Sequence, residues 1–359
     1  GVRPSLEEVE HATGIACAHI DSLGDALAKD AGTLELCVVS EADPSVTELV
    51  NQVRSQNGAA DAQVNAANDA KLLEALAELR LIKDPWEIEQ LELAVSVTKS
   101  GFEKLIRSLP RATEHWRGER VLEGAFGAVA REEGNGLGYD TIAASGNHAN
   151  TLHWINNDGR VLESDMVLVD AGAEVDSLYT ADVTRTLPVS GTFSEAQRKI
   201  YQAVLDAADA SFAKANEPGV RFRDLHNAAM EVLAERLESW GCLPEGVTAA
   251  QSLSAEGQYH RRWMVHGTSH HLGLDVHDCA QARREMYMDA LLEPGMCFTI
   301  EPGLYFRADD LQVPEELRGQ AVRIEDDIVI DPDGSARRIT ADIPRDTDDV
   351  ENWVRSLRG

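Results

Sequence analysis

The apolar positions of the chain switch repeatedly between helical and strand spacing. Near the start, "LEEVEHAT" (residues 6–13) carries a helical pattern, and "TLELCVVS" (33–40) has the character of a strand. "QNGAADAQVNAANDA" (56–70) is small and polar and predicts an exposed loop or linker. Residues 1–80 therefore read as a small α/β domain, or part of a larger one.

A second domain, 81–359, opens with "DPWEIEQLELAVSVTKSGFEKLI". Asp84 is placed to cap a helix, Pro85 to fill its first position and Glu87 to complete a capping box. From residue 138 the chain is turn-rich, in "GYDTIAASGNHANTLHW", with Gly146 and Asn147 at a tight turn. "MVLVDAG" and "TADVTRTLPV" then predict two strands with a short connection. Two long helices follow, one opened by a capping box of Ser194 and Gln197, the other closed by Gly241. "GMCFTIEPGLYF" and "AVRIEDDIVI" predict a second pair of strands. "MVLVDAG" and "MCFTIEPG" share a shape once one residue is skipped: Met, β-formers, one carboxylate, a close Gly. That echo fits an α+β domain of two similar halves, each offering acids from a strand pair.

Composition narrows the partners. No apolar run approaches the roughly 18 residues that span a bilayer. The first residues are charged, lack an apolar h-region and do not start with methionine, so they read as no secretory signal and fit a truncated or processed start. A formal net charge of -29 argues against nucleic acid and anionic membrane as partners. The five cysteines are odd in number and form no C-x-x-C pair. They argue against a disulfide framework or zinc ribbon and predict free thiols in a reducing, cytoplasmic location.

Four acids fall where a strand should be apolar. Asp170 ends one run, Asp182 lies inside a predicted strand, Glu301 ends "CFTI" and Glu325 interrupts "VRIEDDIVI". One such acid is ordinarily a strand end at the solvent edge; four in two matched strand pairs predict a shared cleft, because buried carboxylates need partners or a metal. Beside them, "VHGTSHHLGLDVHD" holds His266, His270, His271 and His277, four of eleven histidines. It is not a zincin helix, since Gly267 stands where that motif needs glutamate. His270 and His271 are adjacent, so on a strand only one of them faces the cleft. Carboxylates with one or two histidines suit Mn²⁺, Fe²⁺, Co²⁺ or Zn²⁺. The number of acids suffices for two ions, which could activate a bridging water as hydroxide near neutral pH.

These segments, with "TIEPGLYF" and "VPEELRGQAVRIEDDIVI", resemble the pita-bread metallopeptidases, the family of aminopeptidase P, prolidase and methionyl aminopeptidase. The resemblance covers residues 82–345, and "VPEELRGQAVRIEDD" points to the aminopeptidase P branch. It implies a pita-bread catalytic domain, two pseudo-symmetric αβ halves around a curved antiparallel sheet, after a small or truncated α/β N-terminal domain. It implies metal ligation by Asp170, Asp182, His270, Glu301 and Glu325, with Asp182 and Glu325 as bridges. His153, His266 and His277 would line the substrate site, with His266 and His277 contacting substrate or shuttling protons. Arg323 would orient an acidic ligand beside the substrate, and His271 would be non-catalytic. Glu301 would act as general base and then acid. One departure is the spacing of twelve between Asp170 and Asp182, whose extra residue fits the intervening hairpin.

The implied activity is release of an N-terminal residue from peptides with proline second. The implied cofactor is a pair of divalent ions, Mn²⁺ first, in a homo-oligomer (dimer or tetramer). Three alternatives share the fold: a prolidase restricted to Xaa-Pro dipeptides, a creatinase-type enzyme needing no metal, and a binding module without catalysis. The full set of five ligands argues against the last two.

Overall fold

The computed structural model describes residues 3–358 apart from 32, 41, 59 and 60. It divides into two compact units, Gly1–Leu79 and Arg80–Gly359.

The first unit is helical among its described residues. Its helices include Leu6–Thr13, capped by Ser5, and Pro44–Gln56, capped by Asp43. "TLELCVVS" forms no strand there, contrary to the sequence reading. Side chains take its backbone groups instead. The Arg54 guanidinium donates to the Leu36 carbonyl (2.7 Å), and the Asp69 carboxylate accepts the Val38 N–H (2.8 Å). The predicted loop after residue 56 is also corrected, because a helix runs over Ala62–Arg80. Asp61 accepts the N–H groups of Gln63 and Val64 and so opens it, and alanine-rich sequence carries it on. Ala59 and Ala60 of that stretch lie outside the described residues.

In the second unit, the helix Pro85–Arg107 begins with the predicted Asp84–Glu87 capping box. Ser194 and Gln197 likewise open Glu195–Ala215. Phe222–Ser239 ends two residues before Gly241, which adopts φ +70°. The helix Gly118–Glu133 packs on Pro85–Arg107, and Phe222–Ser239 packs on Glu195–Ala215, so each half has its own helix pair.

Two three-stranded antiparallel sheets form the frame. In one, Met166–Asp170 lies between Ile142–Ser145 and Thr184–Pro188. In the other, Asp326–Ile330 lies between Cys297–Ile300 and Ala336–Arg338. Two smaller, two-stranded pieces pair Gly303–Phe306 with Gln320–Arg323 and Gly136–Leu137 with Ala173–Glu174. The two long strands predicted in the C-terminal half are therefore each broken. One break is at Glu301 and Pro302, where proline offers no N–H to continue the ladder. The other is at Ile324 and Glu325. The acids that looked misplaced inside strands sit at these breaks. Asp182 is corrected similarly: it lies in extended chain just before the strand that starts at Thr184.

The two halves are joined along Thr184–Thr186. Glu325 N–H donates to the Thr184 carbonyl (3.1 Å), and Thr186 Oγ1 donates to the Arg323 carbonyl (3.0 Å). Arg185 is fully buried, pairs with Asp326 at 2.7 Å and donates to the carbonyls of Thr184, Glu325, Ile343 and Pro344.

Removing the Ser194 cap by Ser194→Ala should cost about 1 kcal/mol, read as an earlier chemical denaturation midpoint with unchanged cooperativity. An unchanged midpoint would mean the cap is idle.

Candidate metal centre

The sheet ends deliver the acids to one cleft. Asp170 is the last residue of its strand, level with Thr184 on one neighbour and Ile142 on the other. Gly172 lets the chain turn tightly behind it, since a Cβ there would lie 1.7 Å from the Ala181 carbonyl oxygen. That close approach brings Asp182 back beside Asp170. The Tyr139 hydroxyl lies 2.7 Å from Asp170 Oδ1 and 2.6 Å from Asp182 Oδ1. Across the seam, Thr184 Oγ1 donates to Glu325 Oε2 (2.7 Å). Asp182, His270 and Glu325 each offer a ligand atom, all within 4.8 Å of one another. Glu301 joins them through His270, whose Nε2 is 3.2 Å from Asp182 Oδ2 and 3.6 Å from Glu301 Oε1. His270 Nδ1 faces the His271 carbonyl at 3.1 Å, which directs Nε2 to the acids.

Arg323 is almost wholly buried and spends its guanidinium on this cluster. It donates to Asp170 Oδ2 (2.6 Å), Thr184 Oγ1 (3.0 Å) and the Tyr305 hydroxyl (2.9 Å). His266 Nε2 meets the same hydroxyl at 2.7 Å, and its Nδ1 lies 3.6 Å from Glu301 Oε2. His277 stands edge-on to the His270 ring, with centroids 4.4 Å apart. His153 is exposed, and its charge reaches both His266 and His277. His271 is different: it is fully buried, stacked on Phe222 and edge-on to Tyr287 and Phe298, away from the acids.

The cluster carries more negative charge than its own cations offset. Burial, then the charges of Asp182, Glu301 and Asp170, pushes Glu325 well above the carboxylate range. Burial also lifts Glu301 to about 8, although His270 and Arg323 oppose it. Burial raises Asp170 against the pull of Arg323. Among the four acids Asp182 alone is lowered: burial works against its charge, but the hydrogen bond and charge of His270, with the Tyr139 hydroxyl, together outweigh it. Burial disfavours a charged His270, yet Asp182 and Glu301 carry it up to about 9. His266 is pushed by burial and by Arg323 to about 3, so it is a neutral ring. Close, buried oxygen donors with surplus negative charge and one outward imidazole fit a hard divalent cation.

Tyr139, Thr184 and Tyr305 were not singled out from the sequence, although all three lie in or beside its quoted motifs. Asp327 was also missed; it accepts the Asp182 N–H (3.1 Å) from behind. Hydroxyls and a third acid inside an acidic run carry no pattern of their own, and only the fold reveals what they hold.

Comparison with known proteins defines the class. The model of metallopeptidase family M24 matches residues 89–332, and the chain belongs to that family. Within it, Xaa-Pro aminopeptidase 1 of Streptomyces coelicolor is 47% identical over 359 residues, covering 100% of this chain and 69% of that protein. Human Xaa-Pro aminopeptidase 3 is 33% identical over 293 residues, covering 81% of this chain and 55% of that protein. A variant of Escherichia coli aminopeptidase P solved with substrate superposes with a TM-score of 0.86 at 28% identity, covering 100% of this chain and 79% of that one. The pita-bread architecture expected from the motifs is thereby shown.

Two outcomes follow. Glu301 ionises near 4.5 unfolded and about 8 folded, so the folded form holds its proton longer. His270 goes from 6.5 to about 9 in the same sense. Both make the chelator-treated protein lose stability as pH rises from about 6.5 to 9, above the range in which the lowered His266 acts in the opposite sense. Melting curves across that range should show the decline, and a divalent cation should remove it; a flat profile would contradict the charge surplus. His271→Phe, which keeps a ring among the aromatics, should leave kcat/KM within about twofold. A loss beyond tenfold would place His271 in the chemistry.

Proposed function

We propose that the chain is a metal-dependent aminopeptidase that removes the N-terminal residue from peptides with proline in second position. The observation that carries this reading is the convergence of Asp170, Asp182, His270, Glu301 and Glu325 on one cleft, in a chain similar throughout to Xaa-Pro aminopeptidases. Those five residues would hold two divalent ions, Mn²⁺ in first place. Bound ions supply the polarisation of the scissile carbonyl and the activation of water.

The chain's own residues do the rest. His270 turns Nε2 toward the Asp182 carboxylate, 3.2 Å away, so the two offer their donor atoms side by side. Glu301, beside His270 and His266, is the residue placed to accept a proton from water and return it to the departing proline nitrogen. Proline matters because its ring fixes φ and its nitrogen carries no N–H, so recognition rests on shape and on the scissile carbonyl. His266, neutral, gives its Nδ1–H to the Gly267 carbonyl (2.6 Å) and accepts the Tyr305 hydroxyl on Nε2 (2.7 Å), so its ring would contact the substrate in one fixed orientation. His277 and His153 would line the substrate path. Arg323 holds Asp170 in place from behind. The acidic cleft attracts a cationic α-amine, which suits an exopeptidase. No helix among the described residues is long and apolar enough to cross a membrane. A cytoplasmic location and a dimeric or tetrameric assembly complete the proposal.

The test is Mn²⁺-dependent release of the first residue from an Xaa-Pro-Xaa peptide, run beside an Xaa-Pro dipeptide. Cleavage of the longer peptide is expected. Cleavage of the dipeptide alone would replace this reading with prolidase. Glu301→Ala should lower kcat by about a thousandfold; full activity would remove Glu301 from the mechanism.

A further inference from the structure

Away from the metal centre, a carboxylate stands in the interior of the first half. Glu119 lies in the first turn of the helix Gly118–Glu133 and is fully buried. Burying a carboxylate is costly unless several donors meet it. Here four do, and all come from one segment, residues 145–159. Oε1 accepts the Ser145 N–H (2.8 Å) and faces His148 Nδ1 (2.8 Å). Oε2 accepts the Gly159 N–H (2.7 Å) and the Trp154 indole N–H (2.9 Å). The Glu119 N–H donates in turn to the Gly159 carbonyl (3.2 Å). One side chain thus ties the entry, middle and exit of this loop.

The contact is close-fitted. His148 stacks on Trp154 with centroids 4.0 Å apart. A Cβ on Gly159 would lie 2.6 Å from the His148 ring and 2.7 Å from Glu119 Oε2, so only glycine admits the carboxylate. His153 sits inside the tied segment, next to Trp154, and is itself exposed. The loop carries no strand ladder across 151–159. Its shape depends on side-chain bonds: those of Glu119, and those of the buried Asn157, which accepts the Ala143 N–H (2.9 Å) and donates to the Thr141 carbonyl (2.8 Å) at the exit of the loop.

We propose that Glu119 is a positioning residue for the peptidase reaction: it fixes the loop that presents His153 to the substrate. This rests on the reading of His153 as lining the substrate path. Glu119 touches neither substrate nor the acid cluster, so its effect must pass through the loop. Charge-assisted bonds to two backbone N–H groups are stiff as well as strong, and a misplacement of about 1 Å at a reacting group can cost a hundredfold in rate.

A double-mutant cycle separates positioning from general stability. Glu119→Gln keeps size but replaces one acceptor oxygen by a donor, leaving buried N–H groups unmet. It should lower kcat/KM for Xaa-Pro-Xaa about tenfold, with Mn²⁺ content unchanged. In a His153→Ala background the same substitution should cost no more than about twofold, because the group it positions is gone. An equal loss in both backgrounds overturns the proposal, as does unchanged activity in Glu119→Gln. Should Glu119→Gln fail to fold, Trp154→Phe removes one donor and keeps the stacked ring. It should lower kcat/KM about threefold in the parent and leave the His153→Ala background unchanged; equal effects overturn the proposal again. The unmodified enzyme is the control: if it does not cleave the peptide, the functional reading fails, whereas an additive cycle in an active enzyme sinks Glu119 alone.

Discussion

Arg185 and Asp326 form the interaction on which the rest depends. Both are buried, and they close the seam between the halves at 2.7 Å. A buried ion pair contributes little net stability by itself, because desolvation offsets the attraction. Its value here is register. Arg185 spreads its donors over Asp326 and the carbonyls of Thr184, Glu325, Ile343 and Pro344. That arrangement admits one alignment of the two sheets. In it, Thr184 reaches Glu325, Arg323 reaches Asp170, and Asp327 reaches the Asp182 N–H.

The acids owe their place to interrupted strands. A continuous ladder through Glu301 or Glu325 would alternate side chains between faces and bury every second one in the core. Breaking the strands at Pro302 and at Ile324 instead lets successive acids serve different purposes. In "EDD", Glu325 faces the cleft, Asp326 takes Arg185 and Arg345, and Asp327 backs Asp182. The surplus charge that results is the local cost of a cleft prepared for cations. Arg323 offsets part of it while also fixing Tyr305 and, through that hydroxyl, His266.

Much of this was legible in the sequence. The caps at Asp84 and Ser194 could be read because their donors and acceptors lie within three residues of each other. The acids stood out because they broke apolar runs. Alternation of adjacent side chains let only one of His270 and His271 face the cleft, the family resemblance chose His270, and the structure turns His271 into an aromatic cage. What could not be read was non-local. Nothing near "TLELCVVS" foretells that Arg54 and Asp69 would take its backbone groups. Alanine-rich sequence after residue 60 looked like linker, because propensity shows only when a cap such as Asp61 starts the helix. Tyr139 and Glu119 have their partners 31 to 43 and 26 to 40 residues away, beyond any local pattern.

The separation of the acids along the chain has a kinetic meaning. Asp170 and Glu325 are 155 residues apart, and one belongs to each half. Neither half alone can assemble the cluster, so the cleft forms only when the two sheets dock. Loop closure over such a span is slow relative to helix formation. The complete set of acids therefore exists only once both halves are in place, and a nascent chain lacking its C-terminal half has no such set. Affinity for cations then reports completion of the fold rather than any earlier stage, and a chain that misaligns its halves is silenced before it can cut a peptide.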